Sequence, residues 1–378
     1  MKLVIVSHTE HYLRDGRIVG WGATVREIDH LAVLFDEVVH IAPLHEGNAP
    51  ESAIAYQAAN VSLRAVKPAG GNRLGDKLSI LMVYPQYIRA MLQELRQADV
   101  AHVRCPANIS LLAVILLTLV RYPQKRWIKY AGNWHPDGRE SWSYTFQRWW
   151  LKRGWHRGHV TVNGKWEGDP PFIHSFLNPC LTDEEYQSAK LLAVNKQLTQ
   201  PVHLLIVGRV ESAKGVGRAL EICARLKHRD IQVVLDLVGG GPERSAFERQ
   251  AQELGVEANF HGWLPRTALG EYYARAHFLI FPTNSEGWPK VISEAMAYGV
   301  VPLAGAVSSI PQYLKQFGVG AAHPPADLDA FVNALCGYLK DPSRWQEESH
   351  RAAEAAEKFT YTRYLEAVQQ LLNLSGVR

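Results

Sequence analysis

The sequence predicts an α/β protein of two tandem doubly wound, Rossmann-like domains, on three observations. The chain has 378 residues, 47% of them hydrophobic and 21% charged, a length that suits two domains with separate cores. Short β-rich runs alternate with helical segments throughout, the pattern of parallel sheets covered on both faces by helices. The alternation stops once, at a polar, proline-bearing stretch, and then starts afresh. The expected organisation is a first domain over 1–190, a second over 200–345, and a helical segment over 346–378 that packs back across the junction. Ligands of such sheets lie outside the carboxyl ends of the strands, so the site is expected in a cleft shared by the two domains.

In chain order, Leu3 to Val6 reads as a buried first strand. Glu37 to Ile41, Val100 to Arg104, Trp127 to Tyr130 and Val160 to Val162 are further strands, with helices at Leu111 to Val120 and Tyr144 to Lys152. Pro179, the polar run Thr182 to Glu185, and Asn195 to Pro201 read as a linker. Beyond it, strands fall at His203 to Val207, Gln232 to Val238, Phe278 to Phe281 and Val300 to Leu303. Loops and amphipathic helices such as Arg218 to Leu226 and Arg244 to Leu254 follow them. The stretch from Ser343 to Leu372 is helical by pattern and has no strand of its own.

Composition narrows the function. Forty-one Lys and Arg against 37 Asp and Glu give a formal charge of +4, too small an excess for a dedicated nucleic-acid binder. The four cysteines are far apart, with neither a Cys-x-x-Cys pair nor a histidine cluster at ligand spacing, so no disulfide framework or zinc site is expected. The longest apolar stretch, Ile109 to Val120, is 12 residues, against the roughly 20 that a membrane span requires. The expected location is the cytoplasm, with peripheral contact on the cytoplasmic face of the membrane as the further expectation.

Three strand ends carry chemistry. Val207-Gly208-Arg209-Val210-Glu211-Ser212-Ala213-Lys214-Gly215 ends a strand in glycine and places two cations before a helix. Gly208 and Gly215 would let backbone approach a diphosphate that Arg209 and Lys214 neutralise; a solvated loop with two surface cations is the alternative. Val238-Gly239-Gly240-Gly241-Pro242 also admits a ligand, or is a plain tight turn; with Arg244 in place of glycine it fails the dinucleotide fingerprint. The third runs from Asn284 to Gly299. Pro289 suits the first position of a helix and Gly299 its end. The helix start at Trp288, Pro289, Lys290 and Val291 would then face an anion. Glu294 inside the helix can accept both hydroxyls of a ribose diol, and Glu286 in the loop can reach a transferred sugar. The plainer reading makes Glu286 a helix cap and Glu294 an exposed helix residue.

These residues resemble a known family. The second half is similar to the nucleotide-sugar domain of the GT-B glycosyltransferases, specifically the retaining family 4 (glycosyl transferases group 1), whose signature is two glutamates separated by seven residues. Glu286 and Glu294 have that separation, and the G-R-x-x-x-x-K-G loop at Gly208, the V-G-G-G-P strand end and the E-A-M-A-x-G run at Glu294 match as well. The resemblance covers about residues 200 to 340. It implies that Arg209 and Lys214 bind the donor diphosphate, Glu294 the ribose and Glu286 the donor sugar, with the base held along Phe260 to Leu264. The first half departs more. Gly16, Gly20 and Gly22 could serve as the family's glycines after the first strand. Asn133 stands where a histidine is usual, with His135 slightly beyond it, and His8 and Arg104 lie near other strand ends. Gly22, Arg104, Asn133 and His135 are the acceptor-side candidates.

The expected reaction is metal-independent transfer, with retention, from a nucleoside diphosphate sugar to an acceptor hydroxyl. No cofactor is expected beyond the donor substrate. The one Asp-x-Asp triplet, Asp327-Leu328-Asp329, precedes an apolar helix and reads as its cap, leaving Arg209, Lys214 and the helix start to stabilise the departing phosphate. Residues 121–165 hold ten Lys and Arg against Asp137 and Glu140, interleaved with six tryptophans. That composition suits an anionic leaflet, and hence a lipid-linked glycan acceptor in surface polysaccharide or glycolipid assembly; base stacking on nucleic acid and a solvated helix covering the core are the alternatives. A nucleotide-sugar epimerase and a non-catalytic nucleotide-sugar sensor are the rival readings.

Overall fold

The computed structural model describes residues 1–69, 74–136, 138 and 140–374, and only the backbone over 74–81. Asp137, counted above in the basic segment, lies outside the described residues. The chain forms two compact units, Met1–Phe176 with the residues from Leu365 onward, and Leu177–Tyr364.

The first unit contains β1 (Lys2–Val6), β2 (His11–Arg14), β3 (Arg17–Trp21), α1 (Gly22–Leu31), β4 (Glu37–Pro43), β5 (Ala53–Ala55), β6 (Val61–Val66) and α2 (Leu74–Leu95). It continues with β7 (Val100–Cys105), α3 (Asn108–Leu119), β8 (Lys125–Tyr130), α4 (Trp142–Lys152), β9 (His159–Val162) and β10 (Ile173–Ser175). Seven parallel strands run in the order β10-β9-β8-β7-β1-β4-β6. The chain moves outward from β1 through β4 to β6 and then returns to β7, so the order reverses beside β1. Helices cover both faces of this sheet, which is why Leu3-Val4-Ile5-Val6 is apolar without alternation and wholly buried.

The glycines after β1 have a local explanation. Asp15 (φ 51°) and Gly16 (φ 73°) turn the antiparallel hairpin β2–β3, as a two-residue hairpin turn requires. A Cβ at Gly20 would lie 2.7 Å from the His11 ring, and one at Gly22 would lie 2.7 Å from the Ser52 carbonyl oxygen. Packing of the hairpin and of α1 accounts for both glycines.

The second unit contains α5 (Asp183–Val194), β11 (Val202–Val207), α6 (Val216–Lys227), β12 (Val233–Val238), α7 (Arg244–Leu254), β13 (Ala258–Gly262), α8 (Arg266–Arg275) and β14 (Phe278–Phe281). It continues with α9 (Lys290–Ala297), β15 (Val301–Gly305), α10 (Ile310–Phe317), β16 (Ala321–His323), α11 (Leu328–Lys340) and α12 (Pro342–Ala355), and α13 (Tyr361–Leu372) carries the chain out of it. Its six parallel strands run β13-β12-β11-β14-β15-β16, with the reversal between β11 and β14.

The run Thr182 to Glu185, expected as linker, instead begins α5. Thr182 and Glu185 form a reciprocal capping box, which satisfies two otherwise orphaned amides. Tyr186 and Ala189 bury in the second unit's core with Ala352 and Phe359, so the chain changes units at Phe176–Leu177, ahead of the expected break at 190–200. No helix of the described residues is long and apolar enough to cross a membrane.

Candidate functional site

In the second unit, β11 and β14 are neighbours across the reversal, and the loops that follow them are joined. Asn284 N–H donates to the Ala213 carbonyl at 3.1 Å. Gly215 (φ 84°) passes so close to Pro282 that a Cβ there would lie 2.2 Å from its carbonyl oxygen. This brings Lys214, at the end of one loop, into an ion pair and hydrogen bond with Glu286 on the other. The Glu286 side chain is only 16% exposed. Burial pushes its carboxyl above the ordinary glutamate range, and the Lys214 ammonium opposes that shift. Glu286 therefore pairs with a cation, and the helix-cap reading does not apply. Arg209 stands apart: its side chain is 69% exposed and pairs with Glu211 at 3.2 Å.

The glycines at the strand ends divide by role. At Gly208 (φ 145°) nothing lies within 4 Å of where a Cβ would stand, and Gly240 is likewise open. Gly239 and Gly241 instead press on the neighbouring strand end, where Cβ atoms would fall 1.8 Å from the Gly208 carbonyl and 2.2 Å from that of Val210. The Val210 N–H donates to the Gly240 carbonyl at 3.0 Å. Gly208 and Gly240 thus present open backbone on joined strand ends.

Pro289 is the residue before α9 rather than its first turn, and Gly299 (φ 67°) follows the helix end. Glu294 is buried, not exposed. Its Oε1 accepts from Arg266 Nη1 at 2.6 Å and its Oε2 from the Tyr273 hydroxyl at 3.0 Å. Arg266 also donates to Glu185 at 2.9 Å and to the Cys180 carbonyl. Burial disfavours this guanidinium's charge, but Glu294 and Glu185 outweigh it and raise its pKa. Each Glu294 oxygen retains lone pairs for a further donor. The Trp288 indole belongs to the core: Nε1 donates to Ser293 Oγ at 2.7 Å, and the ring stacks on Phe359. Leu264 and Val291 are half-buried against that same core and Lys290 is half-buried on the first turn of α9. Asp327 caps α11 by accepting from the Ala330 N–H, and Asp329 pairs with Arg225.

The first unit has its own pocket, about 330 Å³, at the carboxyl ends of β1 and β7. Ser7, His8, Thr9, Tyr12, Trp21 and Arg104 are among its walls. Arg104 and Lys129 sit opposite each other on β7 and β8, a repulsive placement. Glu27 of α1, 1% exposed, bridges them at 2.7 and 2.6 Å. Arg104 and Lys129 thus share the Glu27 carboxylate, and Glu10 adds an acidic group to the pocket wall. Of the acceptor-side candidates, Arg104 lines this pocket. Gly22 packs on Ser52, Asn133 Oδ1 accepts from the His135 N–H at 3.1 Å, and the His135 ring stacks on Trp166; these three are not among its walls.

A closed hydrogen-bond circuit holds the segment after β1. The Thr9 N–H donates to Ser7 Oγ at 3.1 Å, which lies 2.7 Å from His40 Nε2; His40 Nδ1 lies 2.7 Å from the Tyr56 hydroxyl. That hydroxyl is 2.8 Å from His11 Nε2, and His11 Nδ1 is 2.9 Å from the Thr9 carbonyl oxygen. A peptide N–H can only donate and a carbonyl only accept, so the backbone of Thr9 fixes the direction at both ends. Both imidazoles then carry their proton on Nδ1. Ser7 Oγ also has Thr9 Oγ1 at 2.9 Å, but among the described residues the buried His40 Nε2 has no other donor, so the Ser7 hydroxyl donates its hydrogen bond to it. Burial keeps His11 neutral, with its pKa lowered to about 4, and lowers that of His40 as well.

Glu27, Lys129, His40, Tyr56, Arg266 and Tyr273 carry no motif in the sequence. Each meets its partner only through the sheet register or helix packing, and no local spacing announces them.

Residues 188–359 match the family model described as glycosyl transferases group 1. A D-inositol 3-phosphate glycosyltransferase of Kribbella flavida is 28% identical over 167 residues, which are 41% of this chain and 39% of that protein. The chain therefore spans about two fifths of the length of that curated relative. Among solved structures, sucrose-phosphate synthase from Thermosynechococcus elongatus superposes with a TM-score of 0.71 at 18% identity, covering 98% of each chain. The Anabaena protein HepE, solved in complex with UDP, gives 0.69 at 14% identity over 99% of this chain and 100% of its own. The shared fold is the pair of Rossmann-like halves expected from the sequence.

Proposed function

We propose that this chain, whose residues 188–359 match the family model described as glycosyl transferases group 1, transfers a sugar from a nucleoside diphosphate sugar to an acceptor hydroxyl. The observation that carries the reading is the Lys214–Glu286 pair, held on joined loops at the sheet reversal beside the start of α9. Negative charge grows on the departing diphosphate in the transition state, and preorganised donors stabilise it. Lys214 supplies one fixed cation. Arg209 is exposed and, among the described residues, its side chain is tied to Glu211 alone, so it can swing onto a phosphate. The first turn of α9 offers backbone amides and the positive end of its dipole. Open backbone at Gly208 and Gly240 leaves room for close approach of the donor. Glu294, locked by Arg266 and Tyr273, presents its remaining lone pairs to the ribose diol, and Glu286 takes hydroxyls of the transferred sugar.

The chemistry is read as metal-independent because both carboxylates of the one Asp-x-Asp triplet have structural partners. Transfer is read as retaining. The first-unit pocket takes the acceptor: Arg104 and Glu10 suit a strongly polar group, and Tyr12 and Trp21 offer faces to a sugar ring. A lipid-linked glycan is the acceptor class, on the basic and Trp-rich character of 121–165.

The test is a thermal-shift panel of nucleoside diphosphates and their sugars in excess chelator, since a ligand bound only by the native state raises its stability by about 2.7 kcal/mol at a hundred times Kd. One base family should stabilise the protein, and labelled donor should yield a transferred, anomerically retained product. Epimerised donor with no acceptor dependence would favour the rival reading.

A further inference from the structure

The helix α4 is inside out. Its buried residues are Gln147, Arg148 and Leu151, and the two polar ones are anchored there by hydrogen bonds, although Gln147 Nε2 has no partner among the described residues. Gln147 Oε1 accepts from the Ala107 N–H at 3.2 Å, and Arg148 donates to the Tyr130 hydroxyl at 3.0 Å and to Glu140. The opposite face, spaced four, three and four residues apart, carries Trp142, Phe146, Trp149 and Arg153, one stripe of a helix. Trp142 is 76% exposed, and Trp149 and Trp155 are exposed as well. The rings form one connected layer: Phe146 lies 5.3 Å from Trp142 and 5.6 Å from Trp149, and Trp155 lies 5.6 Å from Trp149. Trp150 Nε1 donates to Thr118 Oγ1 at 3.2 Å, which sets the end of α3, with its 74% exposed Leu119, beside α4.

Not all six tryptophans of the segment contribute. Trp127 and Trp134 are fully buried, and their indole N–H groups are spent on Thr161 and Asp169. Trp150 is half-buried against the first unit's core, and Trp149 and Trp155 pack on it at 6.2 and 4.9 Å; Trp142, Trp149 and Trp155 nonetheless stay exposed on their outer faces. Cations surround them. The Arg153 guanidinium lies 5.2 Å over the Trp149 ring. Arg157 is held at the end of α3 by the Thr118 and Val120 carbonyls, and Arg121 is exposed close by in sequence. The one acidic side chain among the described residues from 119 to 160 is Glu140, and Arg148 neutralises it.

We propose that the α3–α4 face is a docking surface for an anionic lipid bilayer, with Trp142, Trp149, Trp155 and Leu119 entering the headgroup layer and Arg121, Arg153 and Arg157 meeting lipid phosphates. Indoles favour that layer because they pair an apolar body with a polar edge. Clustered Lys and Arg are drawn to anionic leaflets, an attraction that salt screens. The inference takes its biological sense from the lipid-linked acceptor reading, but is tested without it.

The full chain is sedimented with vesicles of phosphatidylcholine alone and with phosphatidylglycerol added, at low and high salt. The expected result is binding to the anionic vesicles at low salt, at least tenfold weaker on neutral ones, with a blue shift of tryptophan emission. The double variant Trp142→Ser, Trp149→Ser should lose at least tenfold in partition while keeping its far-UV circular dichroism and its nucleotide thermal shift. Arg153→Glu should weaken the binding and flatten its salt dependence. Absence of binding at low salt, or undiminished binding by the folded double variant, overturns the proposal. So does a concentration-dependent dimer abolished by those tryptophan changes, which would make the face a contact between copies. Vesicle binding without any nucleotide response would instead count against the donor-side reading alone.

Discussion

At the scale of single residues, the Lys214–Glu286 pair sets the clearest expectations. Lys214→Ala removes a fixed cation from the developing diphosphate charge and should lower kcat by about 10²-fold or more, measured as initial rates with the donor identified by thermal shift. Glu286 must be ionised to pair with Lys214. Because burial raises its carboxyl pKa, activity should fall on acidification from a pH above that of an exposed glutamate. Lys214 lowers that pKa, so Lys214→Met should move the acid limb of residual activity further up; a limb that moves down would contradict the pairing. In the first unit, the circuit through Ser7, His40, Tyr56 and His11 assigns Nδ1–H tautomers to both histidines. Long-range ¹H–¹⁵N spectra should show an unprotonated Nε2 for each near neutral pH, and Tyr56→Phe should alter both signals. The sequence displayed Lys214, Glu286 and Glu294 by their spacing and strand-end position. It gave no hint that Glu294 is shared with Arg266 and Tyr273, because residues 28 and 21 positions away carry no fixed spatial relation until α8 and α9 pack.

Elements show where local patterning is informative. Strands buried on both faces, such as β1, β11 and β14, are apolar runs that admit one reading, and the motif-bearing loops follow directly from them. The hairpin β2–β3 was missed because its glycines resemble those of a ligand-binding loop, and only the pairing of Tyr12 with Val19 separates the two cases. Glycines that do two jobs are also hard to sort. Gly208 and Gly239 both have φ near 140°, yet only Gly239 is pressed against a neighbouring carbonyl. Gly239→Ala should therefore cost about 1–3 kcal/mol of stability from the strained backbone, with more from the clash, and should weaken nucleotide binding as the β11 end is displaced. Chemical denaturation and the thermal-shift assay read the two effects separately. The capping box at Thr182 and Glu185 is a sequence signature of a helix start; polar composition alone had suggested a linker.

At the scale of the whole molecule, the buried clusters do not mix between units: one is drawn from residues 4–162, and two are drawn from 180–359 and 202–345. Domains with separate cores unfold separately unless their interface is large. Calorimetry should resolve two transitions, of which the nucleotide that binds the second unit raises one. Equal displacement of a single transition would mean that the units unfold together. Local apolar runs, glycine placement and acid spacing determined the two α/β halves and the strand ends where chemistry collects, since buried parallel strands and helix starts write themselves into neighbouring residues. The tertiary structure alone decided which side chains meet: Glu27 between Arg104 and Lys129, Tyr56 between two imidazoles, and tryptophans facing outward from α4. Those contacts depend on register and packing between segments distant in the chain, and no short-range pattern encodes that geometry.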